Sequence, residues 1–480
     1  MPPSVALAVF ILGIAGLFVL DRDRSAQTSK ALWLPVIWLW IFGSRELSVW
    51  MFSLGMESSE MMGDPSLEGS PIDRAVYILL LLIGVVVLVR RGKKVGRLLA
   101  ANAPILAYFS YCLLSVLWSD YPDVSFKRWI KSLGDLVMVA IVVTEVDLLA
   151  AVKRLLSRVS FLLIPLSVLL IKYYSNIGKG FKHYGVAVYT GVTTTKNILG
   201  VVCLLCGLGS LWRLLAAYRD RKDPHRSRHL AVHGVILAMV MWLFSMAHSM
   251  TGLGCFLLAG GVLVATSLLP SARRPSSVHL LVAGVVLASF ATLFLGAGGS
   301  SLQAMGKDVT LTGRTEIWHL VLGMTGHPLV GTGFESFWLP GWRRDKIWDI
   351  YWWHPNEAHN GYIEVFLNLG WIGICLLTVL LVTGYRNTLA TLRGDPHFGR
   401  LKLAYFVVGI VYNFTEAGFR MLDPIWILFL MVIMKVPKTF TRRVARVPSV
   451  ATAGRTDDLT LEESDADYLL PAGIRRNERV

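Results

Sequence analysis

Two basic side chains in one long polar stretch could bind a phosphate group. Arg314 lies in TGRTEIW between Gly313 and Thr315, where the backbone can bend and the guanidinium can project. The planar guanidinium fork matches the oxygens of a phosphate. His359 follows in AHNGY, and its imidazole could either move a proton near neutral pH or bind phosphate as the imidazolium. The alternative for Arg314 is an interfacial side chain that pairs with Glu316 or with a lipid headgroup.

Two carboxylates are candidate bases. Glu335 lies in GTGFESFW and Glu416 lies in NFTEAGFRMLD. A carboxylate can take the proton of a reacting hydroxyl, and Glu335 could instead bind a sugar. The alternatives are a solvated acid for Glu335 and a structural salt bridge for Glu416. The G-T-G itself lacks the strand and the lysine of a phosphate-binding loop, so it predicts a turn.

Three further cations could hold a diphosphate. Arg128 lies in SDYPDVSFKRWIK, Lys196 lies in TTTKN, and Arg420 lies close after the second carboxylate. Basic residues that enter a helix at a membrane surface can bind a phosphate, or they can be snorkelling anchors. Trp352 and Trp353 could stack on a sugar or belong to an interfacial aromatic belt.

The sequence indicates no metal and no cofactor. It contains neither an H-E-x-x-H pattern nor an aspartate-rich one. Cys203 and Cys206 form an isolated C-x-x-C inside an apolar block, and all five cysteines lie in such blocks. We therefore interpret them as packing residues and predict neither disulfides nor a zinc site.

Long apolar blocks separate these polar segments. Of the 480 residues 54% are hydrophobic, and the mean hydropathy of +0.56 is too high for one soluble core. Helical blocks of about 20 residues match the thickness of a bilayer. The sequence therefore predicts an all-α, polytopic membrane protein with about thirteen transmembrane helices. The predicted spans are 3–20, 31–50, 75–90, 98–118, 130–145, 155–172, 197–217, 230–247, 251–269, 278–296, 361–383, 402–415 and 424–436.

The net charge of +15 comes from short basic clusters between these blocks, so it indicates topology rather than nucleic-acid binding. Because such clusters stay inside, we expect an outward, periplasmic N-terminus, a retained first span and a cytoplasmic C-terminus. The predicted division is N-terminal transmembrane helices over 1–296, a large periplasmic loop over 297–360 and C-terminal transmembrane helices over 361–436. A cytoplasmic, disordered tail follows over 437–480.

Six motifs occur in an order that is typical of one family. They are WSDYPDVSFKR (118–128), TTKNILG (194–200), TGR (312–314), GTGF (331–334), HNGYIEVFLNLGWIG (359–373) and NFTE (413–416). The set resembles the superfamily of O-antigen ligases and Wzy-type polysaccharide polymerases, and the ExoQ-like exopolysaccharide polymerases look nearest. The segment 20–50 also looks typical of that branch.

The resemblance implies a function. It implies a metal-independent, GT-C-like membrane glycosyltransferase of exopolysaccharide or lipopolysaccharide biosynthesis in the bacterial inner membrane. Its donor would be an undecaprenyl-diphosphate-linked glycan and its acceptor a glycan or a lipid, with other polysaccharide assembly proteins as partners. Arg314 and His359 would be the essential residues of the outward loop, and Asn360 and Tyr362 of the same motif would bind substrate.

One departure from the family pattern concerns a second arginine. In AHSMTGLG (247–254), Met250 stands where that arginine is expected. Lys196 or Arg128 would then supply the second positive charge.

Two other function classes remain as alternatives. A lipid flippase would need internal repeats and a polar cavity in mid-membrane, and neither is evident in the sequence. A non-catalytic assembly component would tolerate the loss of Arg314 and His359. Polymerase and ligase share the donor chemistry and differ in the acceptor, so both stay open.

Overall fold

The computed structural model describes residues 2–23, 26–56, 67, 69–181, 185, 187–269, 274–294 and 314–437. The chain from Met1 to Thr441 forms one compact unit. The predictions for residues 297–313 and for the tail after residue 437 lie outside the described residues.

The described residues form helices joined by short loops. The helices are α1 (Pro3–Leu20), α2 (Trp33–Phe42), α3 (Leu47–Ser53), α4 (Pro71–Arg90), α5 (Gly92–Ala101), α6 (Ala103–Leu114), α7 (Pro122–Val143), α8 (Leu148–Tyr173), α9 (Ser175–Gly178), α10 (Lys196–Arg219), α11 (Arg226–Ala247), α12 (Met250–Leu268), α13 (Pro275–Phe294), α14 (Arg314–Gly323), α15 (Trp342–Ile350), α16 (Gly361–Gly394), α17 (Pro396–Val411) and α18 (Pro424–Ile433). Short 3-10 turns lie at Lys30–Leu32, Ser115–Trp118 and Tyr412–Phe414. One antiparallel hairpin, β1 (Lys179–Phe181) and β2 (Ala187–Tyr189), interrupts the helical pattern.

The all-α, multi-pass architecture agrees with the sequence prediction. By length and composition, seven of the described helices could cross a membrane, namely α1, α4, α8, α10, α11, α12 and α16. The pair α5 and α6 would make an eighth span, but it is bent by 86°. The count is below the predicted thirteen because other predicted spans form helices that are shorter or carry more charge. Helix α7, for example, includes Arg128 and Asp135.

Contacts between loops divide the helical bundle into two ends. At one end, which we call the basic end, Arg91 pairs with Glu145, and Asp21 pairs with Arg213 at 2.7 Å. At the other, which we call the loop end, Arg314 and the segment 327–360 contact the segment 412–423. These two groups match the loops that the charge pattern places on opposite sides of the membrane.

Buried Arg45 braces the segment before α10. Its guanidinium donates hydrogen bonds to the carbonyl oxygens of Ile177 at 2.6 Å and Thr193 at 3.0 Å. A buried guanidinium needs such partners, so this contact fixes the entry into α10. Lys196 therefore has a defined position at the first residue of that helix.

Helix α16 is broken at Gly370, whose backbone has φ 64°. Next to the break, the N–H groups of Trp371 and Ile372 bond to the carbonyl oxygens of Pro328 and Leu329 at 2.9 and 3.1 Å. A Cβ at Gly370 would lie 2.4 Å from the Leu329 carbonyl. Only glycine fits, because the position needs both a left-handed backbone and close approach of another chain segment. The break places the first helical piece, 361–369, at the loop end.

We expect Gly370→Ala to destabilise the protein by about 2–4 kcal/mol, since it combines backbone strain with steric overlap. The measurement is the apparent melting temperature of the detergent-solubilised protein. The control is Gly394→Ala at the end of the same helix, where a Cβ would meet nothing within 4 Å. Equal melting temperatures for the two variants would contradict this account of the break.

Candidate active site

Five charged side chains form a continuous network at the loop end. Glu357 lies between Arg420, at 2.9 Å, and His359 Nδ1, at 2.8 Å. Glu416 accepts from the same His359 nitrogen at 3.2 Å and lies 3.4 Å from Arg314. Arg314 also donates to the backbone carbonyl of Thr415. We call these residues, Arg314, His359, Arg420, Glu357 and Glu416, the charge network.

The network joins parts of the chain that are far apart in sequence. Asn413 holds the 413–423 segment because its Oδ1 accepts from the N–H groups of Gly418 and Phe419, both at 2.8 Å. The Glu416 carbonyl then accepts from the Gly361 N–H at 3.0 Å, which ties this segment to the start of α16. The three cations of the network are thus presented by a folded scaffold rather than by mobile side chains.

The buried carboxylate of Asp135 stabilises the 413–423 segment. Asp135 on α7 accepts a hydrogen bond from Trp38 Nε1 at 2.8 Å and one from the Leu422 N–H at 2.9 Å. Leu422 has φ 65°, a conformation that costs free energy for a side chain of this size. Asp135 therefore holds the turn that follows Arg420.

The segment that carries His359 is held by helix capping. The Asn360 Oδ1 accepts from the N–H groups of Tyr362 and Ile363 at 3.0 and 3.1 Å, and its Nδ2 donates to the Phe414 carbonyl at 3.2 Å. The Tyr362 hydroxyl donates to the Ile410 carbonyl at 3.1 Å. Both residues were predicted to bind substrate, and both have partners within the protein that give them a positioning role.

Glu364 fixes the turn before His359. Its buried carboxylate accepts from the Ala358 N–H at 2.5 Å and from Trp338 Nε1 at 3.0 Å. His359 itself has φ 51°, so its backbone stores strain that these contacts must offset. Strained backbone held in this way is common at functional sites.

The two flanking carboxylates keep His359 protonated. Burial by itself lowers the pKa of the imidazole, but hydrogen bonds to Glu357 and Glu416 outweigh it and raise the pKa to about 9. Burial also raises the pKa of Glu357, yet His359 and Arg420 lower it to about 2. The pKa of Arg420 is raised above its usual value, because nearby carboxylates outweigh its burial. At neutral pH the network therefore holds three cations and two carboxylates.

A small cavity of about 140 Å³ opens beside the network. Its lining holds the charged residues Arg128, Glu335, Glu364 and Arg420, two asparagines and several apolar or aromatic side chains. Arg128 donates to the backbone carbonyl of Glu335, and the Glu335 Oε1 accepts from the Met421 N–H at 3.4 Å. Glu335 has φ 54°, so this cavity also contains a residue with a strained backbone. The G-T-G before it forms the predicted turn, with φ 71° at Gly331.

The remaining predicted residues are not members of the charge network. Trp352 and Trp353 are 63% and 39% exposed, so either a sugar or a lipid interface could contact their faces. Lys196 begins α10, and Thr195 caps that helix by accepting from the Ile198 N–H at 3.2 Å. The sequence prediction of Arg314, His359, Glu416 and Arg420 as separate candidates thus corresponds to one connected site.

Sequence reasoning missed three carboxylates of this site. Glu357 lies two residues before His359 in NEAHN, and that closeness was the available signal. Glu364 belongs to the H-N-G-Y-x-E motif, although its role as acceptor for a turn is visible only in the fold. Asp135 lies in an apolar helix, where an acidic residue is rare enough to indicate a specific partner.

Two groups of side chains have the spacing of metal ligands. Ligand atoms of Glu357, His359 and Glu416 lie within 4.8 Å of one another. Asp21, His229 and His233 do so at the basic end. In the first group each carboxylate also pairs with an arginine, which already supplies positive charge. The geometry fits a site for an anionic ligand better than one for a metal.

Comparison with known proteins agrees with the motifs. A family model described as "O-Antigen ligase" matches residues 234–378, a range that includes Arg314, Glu335 and His359. The chain is 26% identical over 301 residues to "Exopolysaccharide production protein ExoQ" of Rhizobium meliloti (strain 1021), which covers 61% of this chain and 66% of that protein. The chain is therefore similar to O-antigen ligases in residues 234–378 and to an ExoQ protein over 61% of its length.

A second relative extends the comparison. The chain is 24% identical over 213 residues to a "Putative polysaccharide ligase" of Rickettsia bellii (strain RML369-C), which covers 42% of this chain and 52% of that protein. The matches thus span just under two thirds of the first relative and about half of the second. The similarities to an exopolysaccharide production protein and to a putative polysaccharide ligase both agree with the family that the motifs resemble.

Proposed function

We propose that the protein is a membrane glycosyltransferase that polymerises or ligates undecaprenyl-diphosphate-linked oligosaccharide at the periplasmic face. The observation that carries this proposal is the charge network, which presents two arginines and a protonated histidine together at one end of an apolar bundle. Such an arrangement suits a ligand with a lipid tail and a diphosphate. The similarity to O-antigen ligases and to an ExoQ protein supports the same reaction class.

The reaction is a substitution at the anomeric carbon of the donor sugar. The acceptor hydroxyl oxygen forms a new bond to that carbon, while the bond to the diphosphate oxygen breaks and the diphosphate leaves with the electron pair. The hydroxyl proton passes to a base. Cations that neutralise the negative charge developing on the diphosphate lower the barrier.

The described residues divide these roles between them. Arg314, Arg420 and His359 bind the diphosphate, because all three are cations at neutral pH and all lie in one network. Glu335 is the base, because it lines the adjacent cavity and the described residues give its carboxylate only one long hydrogen bond. Arg128 positions Glu335 by donating a hydrogen bond to the Glu335 backbone carbonyl.

Glu416 is less suited to be the base. It lies 3.4 Å from Arg314 and 3.2 Å from His359, so both of its carboxylate oxygens already have a cationic partner. Its role in the proposed mechanism is to hold these two cations in place. The alternative in which His359 is the base is also disfavoured, because a protonated imidazole cannot accept a proton.

The proposed orientation follows from charge. Arg91, Arg213 and Lys435 lie at the basic end, which we assign to the cytoplasm by the positive-inside rule. The charge network would then face the periplasm of a bacterial inner membrane, with the N-terminus outside and the C-terminus inside. Similarity to an exopolysaccharide production protein over 61% of the chain supports a role in exopolysaccharide biosynthesis.

The test uses purified protein in lipid with an undecaprenyl-diphosphate-linked repeat unit as the only glycan. Product length is followed on a gel, and His359→Ala serves as the inactive variant. We expect a ladder of longer lipid-linked chains for the wild type and none for the variant, although the variant should still insert and accumulate. Transfer that occurs only after addition of a lipid A–core acceptor would identify a ligase.

Equal products from wild type and His359→Ala would contradict the assigned site. If the wild type formed no product with its native donor and either acceptor, the proposed function would be contradicted. That result would favour the transporter or assembly alternatives.

The pH dependence distinguishes a cationic His359 from a basic one. With its pKa raised to about 9, His359 is protonated below that pH and loses its charge as the pH rises through it. Turnover should therefore fall as the pH passes about 9. In Glu357→Gln, which removes one stabilising carboxylate, this alkaline limb should move lower by about 1 pH unit or more. The measurement is initial rate against pH, and a rate that rises through pH 9 would indicate a base instead.

A further inference from the structure

The basic end contains a second, larger cavity of about 990 Å³. Side chains of α8, α10, α11 and α17 form most of its lining. It lies at the Arg219 end of α10, whereas the charge network lies at the Lys196 end of the bundle. A helix of 24 residues is about 36 Å long, so the two sites are separate.

The lining of this cavity is strongly basic. Among the described residues it includes six Arg or Lys side chains, three Asp and three His. The six are Arg22, Lys153, Arg213, Arg219, Arg228 and Arg400. A cavity with walls of low dielectric concentrates such a field and raises the local concentration of anions.

The acidic residues of the lining offset only part of this charge, because three Asp stand against six Arg or Lys. The Asp220 Oδ1 accepts from the N–H of Lys222 at 3.2 Å, and the Asp223 Oδ1 accepts from the N–H of His225 at 2.8 Å. Both carboxylates therefore also stabilise the turn between α10 and α11. Asp21, outside the lining, lies 2.7 Å from Arg213.

The Lys153 ammonium group and the His397 Nδ1 atom lack hydrogen-bond partners among the described residues. Lys153 lies half-buried on α8, and the described residues offer it neither a hydrogen bond nor an ion pair. The Nδ1 of His397 is buried and has no hydrogen-bond partner among the described residues. Lys153 and Arg400 are close enough for their charges to act on His397. Like charges and unsatisfied polar atoms placed together are costly unless a ligand completes them.

We propose that this cavity binds a phosphate-bearing anion. Several converging cations match the multiple charges and oxygens of a phosphate ester better than they match a single carboxylate. The volume is at the upper end of the range for small-molecule sites. The same chemistry could come from a free phosphate compound or from the headgroup of an anionic lipid, since basic pockets between membrane helices bind such headgroups. The site is independent of the proposed glycosyl transfer.

The experiment uses the full chain in nanodiscs of phosphatidylcholine alone, titrated with inorganic pyrophosphate by calorimetry. Parallel nanodiscs with added phosphatidylglycerol are analysed by native mass spectrometry for retained lipid. The variants are Lys153→Gln and Arg228→Gln, and the second keeps the test valid if the first fails to fold. The control is Lys93→Gln, which removes an exposed charge at the same end but outside the cavity.

Each outcome is informative. Pyrophosphate binding that weakens roughly tenfold in Lys153→Gln or Arg228→Gln, and is unchanged in Lys93→Gln, would support a free phosphate compound as ligand. Retention of phosphatidylglycerol that is lost in the same variants, without pyrophosphate binding, would support a lipid headgroup. Absence of both, or binding that all three variants alter equally, would overturn the proposal.

Discussion

Arg314→Ala is expected to reduce chain extension in the reconstituted assay by about 10²–10³. The reason is that Arg314 is a terminal cation of the charge network, with its guanidinium 29% exposed and therefore open to a ligand. Its loss removes a charge from the leaving diphosphate in the transition state. It also leaves Glu416 with one positive partner instead of two, so the remaining network becomes less favourable for an anion. The measurement is the initial rate of ladder formation at saturating donor.

The matched control is Lys346→Ala, which removes an exposed cation of the 342–350 helix without touching the network. Arg314→Lys should retain part of the activity, because it keeps the charge but loses the bidentate fork. If Arg314→Ala and Lys346→Ala reduced the rate equally, the effect would reflect general surface charge. The assignment of Arg314 to the diphosphate would then be wrong.

The sequence identified candidate residues one at a time, but not the contacts between them. Arg314 and His359 were chosen for the chemistry of their side chains in one polar stretch and for the resemblance, and Glu416 and Arg420 for their place in NFTEAGFRMLD. Nothing in their spacing could show that Glu416 bridges Arg314 and His359, since these residues are 102 and 57 positions from it in the chain. Contacts of that range are set by the packing of helices, not by local pattern.

The protonation state of His359 was also beyond the sequence. The imidazole could be read as a base or as a cation until Glu357 and Glu416 were placed on the same nitrogen. Two carboxylates on one imidazole favour the charged form, and this is the reason for proposing a cation rather than a base near neutral pH. The contact with Glu357 is local, because Glu357 precedes His359 by two residues. The contact with Glu416 requires the 413–423 segment to fold back onto α16.

The sequence likewise predicted some features of the fold and not others. Hydropathy identified the apolar helices, and α1 has the predicted bounds of 3–20. It did not identify the break at Gly370, because a glycine inside an apolar run is ordinary in membrane helices. The break is caused by the 327–333 segment, which donates and accepts backbone hydrogen bonds there. The partners of Asp135, Trp38 and the Leu422 N–H, are likewise set by helix packing and are not visible in the sequence.

Glu335→Gln tests the chemical step rather than donor binding. We expect turnover to fall by about 10²–10⁴, because an amide cannot take the acceptor's proton. Donor affinity should change little, since glutamine keeps the size of the side chain and the oxygen that accepts from the Met421 N–H. The measurements are the single-turnover rate and the binding of the lipid-linked donor without acceptor. Glu416→Gln is the comparison, and it should weaken donor binding because Glu416 holds Arg314 and His359.

The pattern across the two variants decides between the carboxylates. Loss of rate with intact donor binding in Glu335→Gln, and loss of binding in Glu416→Gln, would agree with a base beside a separate diphosphate site. The reverse pattern would make Glu416 the base, and would require the charge network to rearrange when the donor binds. That rearrangement would have to separate Glu416 from Arg314, because a carboxylate paired with a guanidinium is a poor proton acceptor.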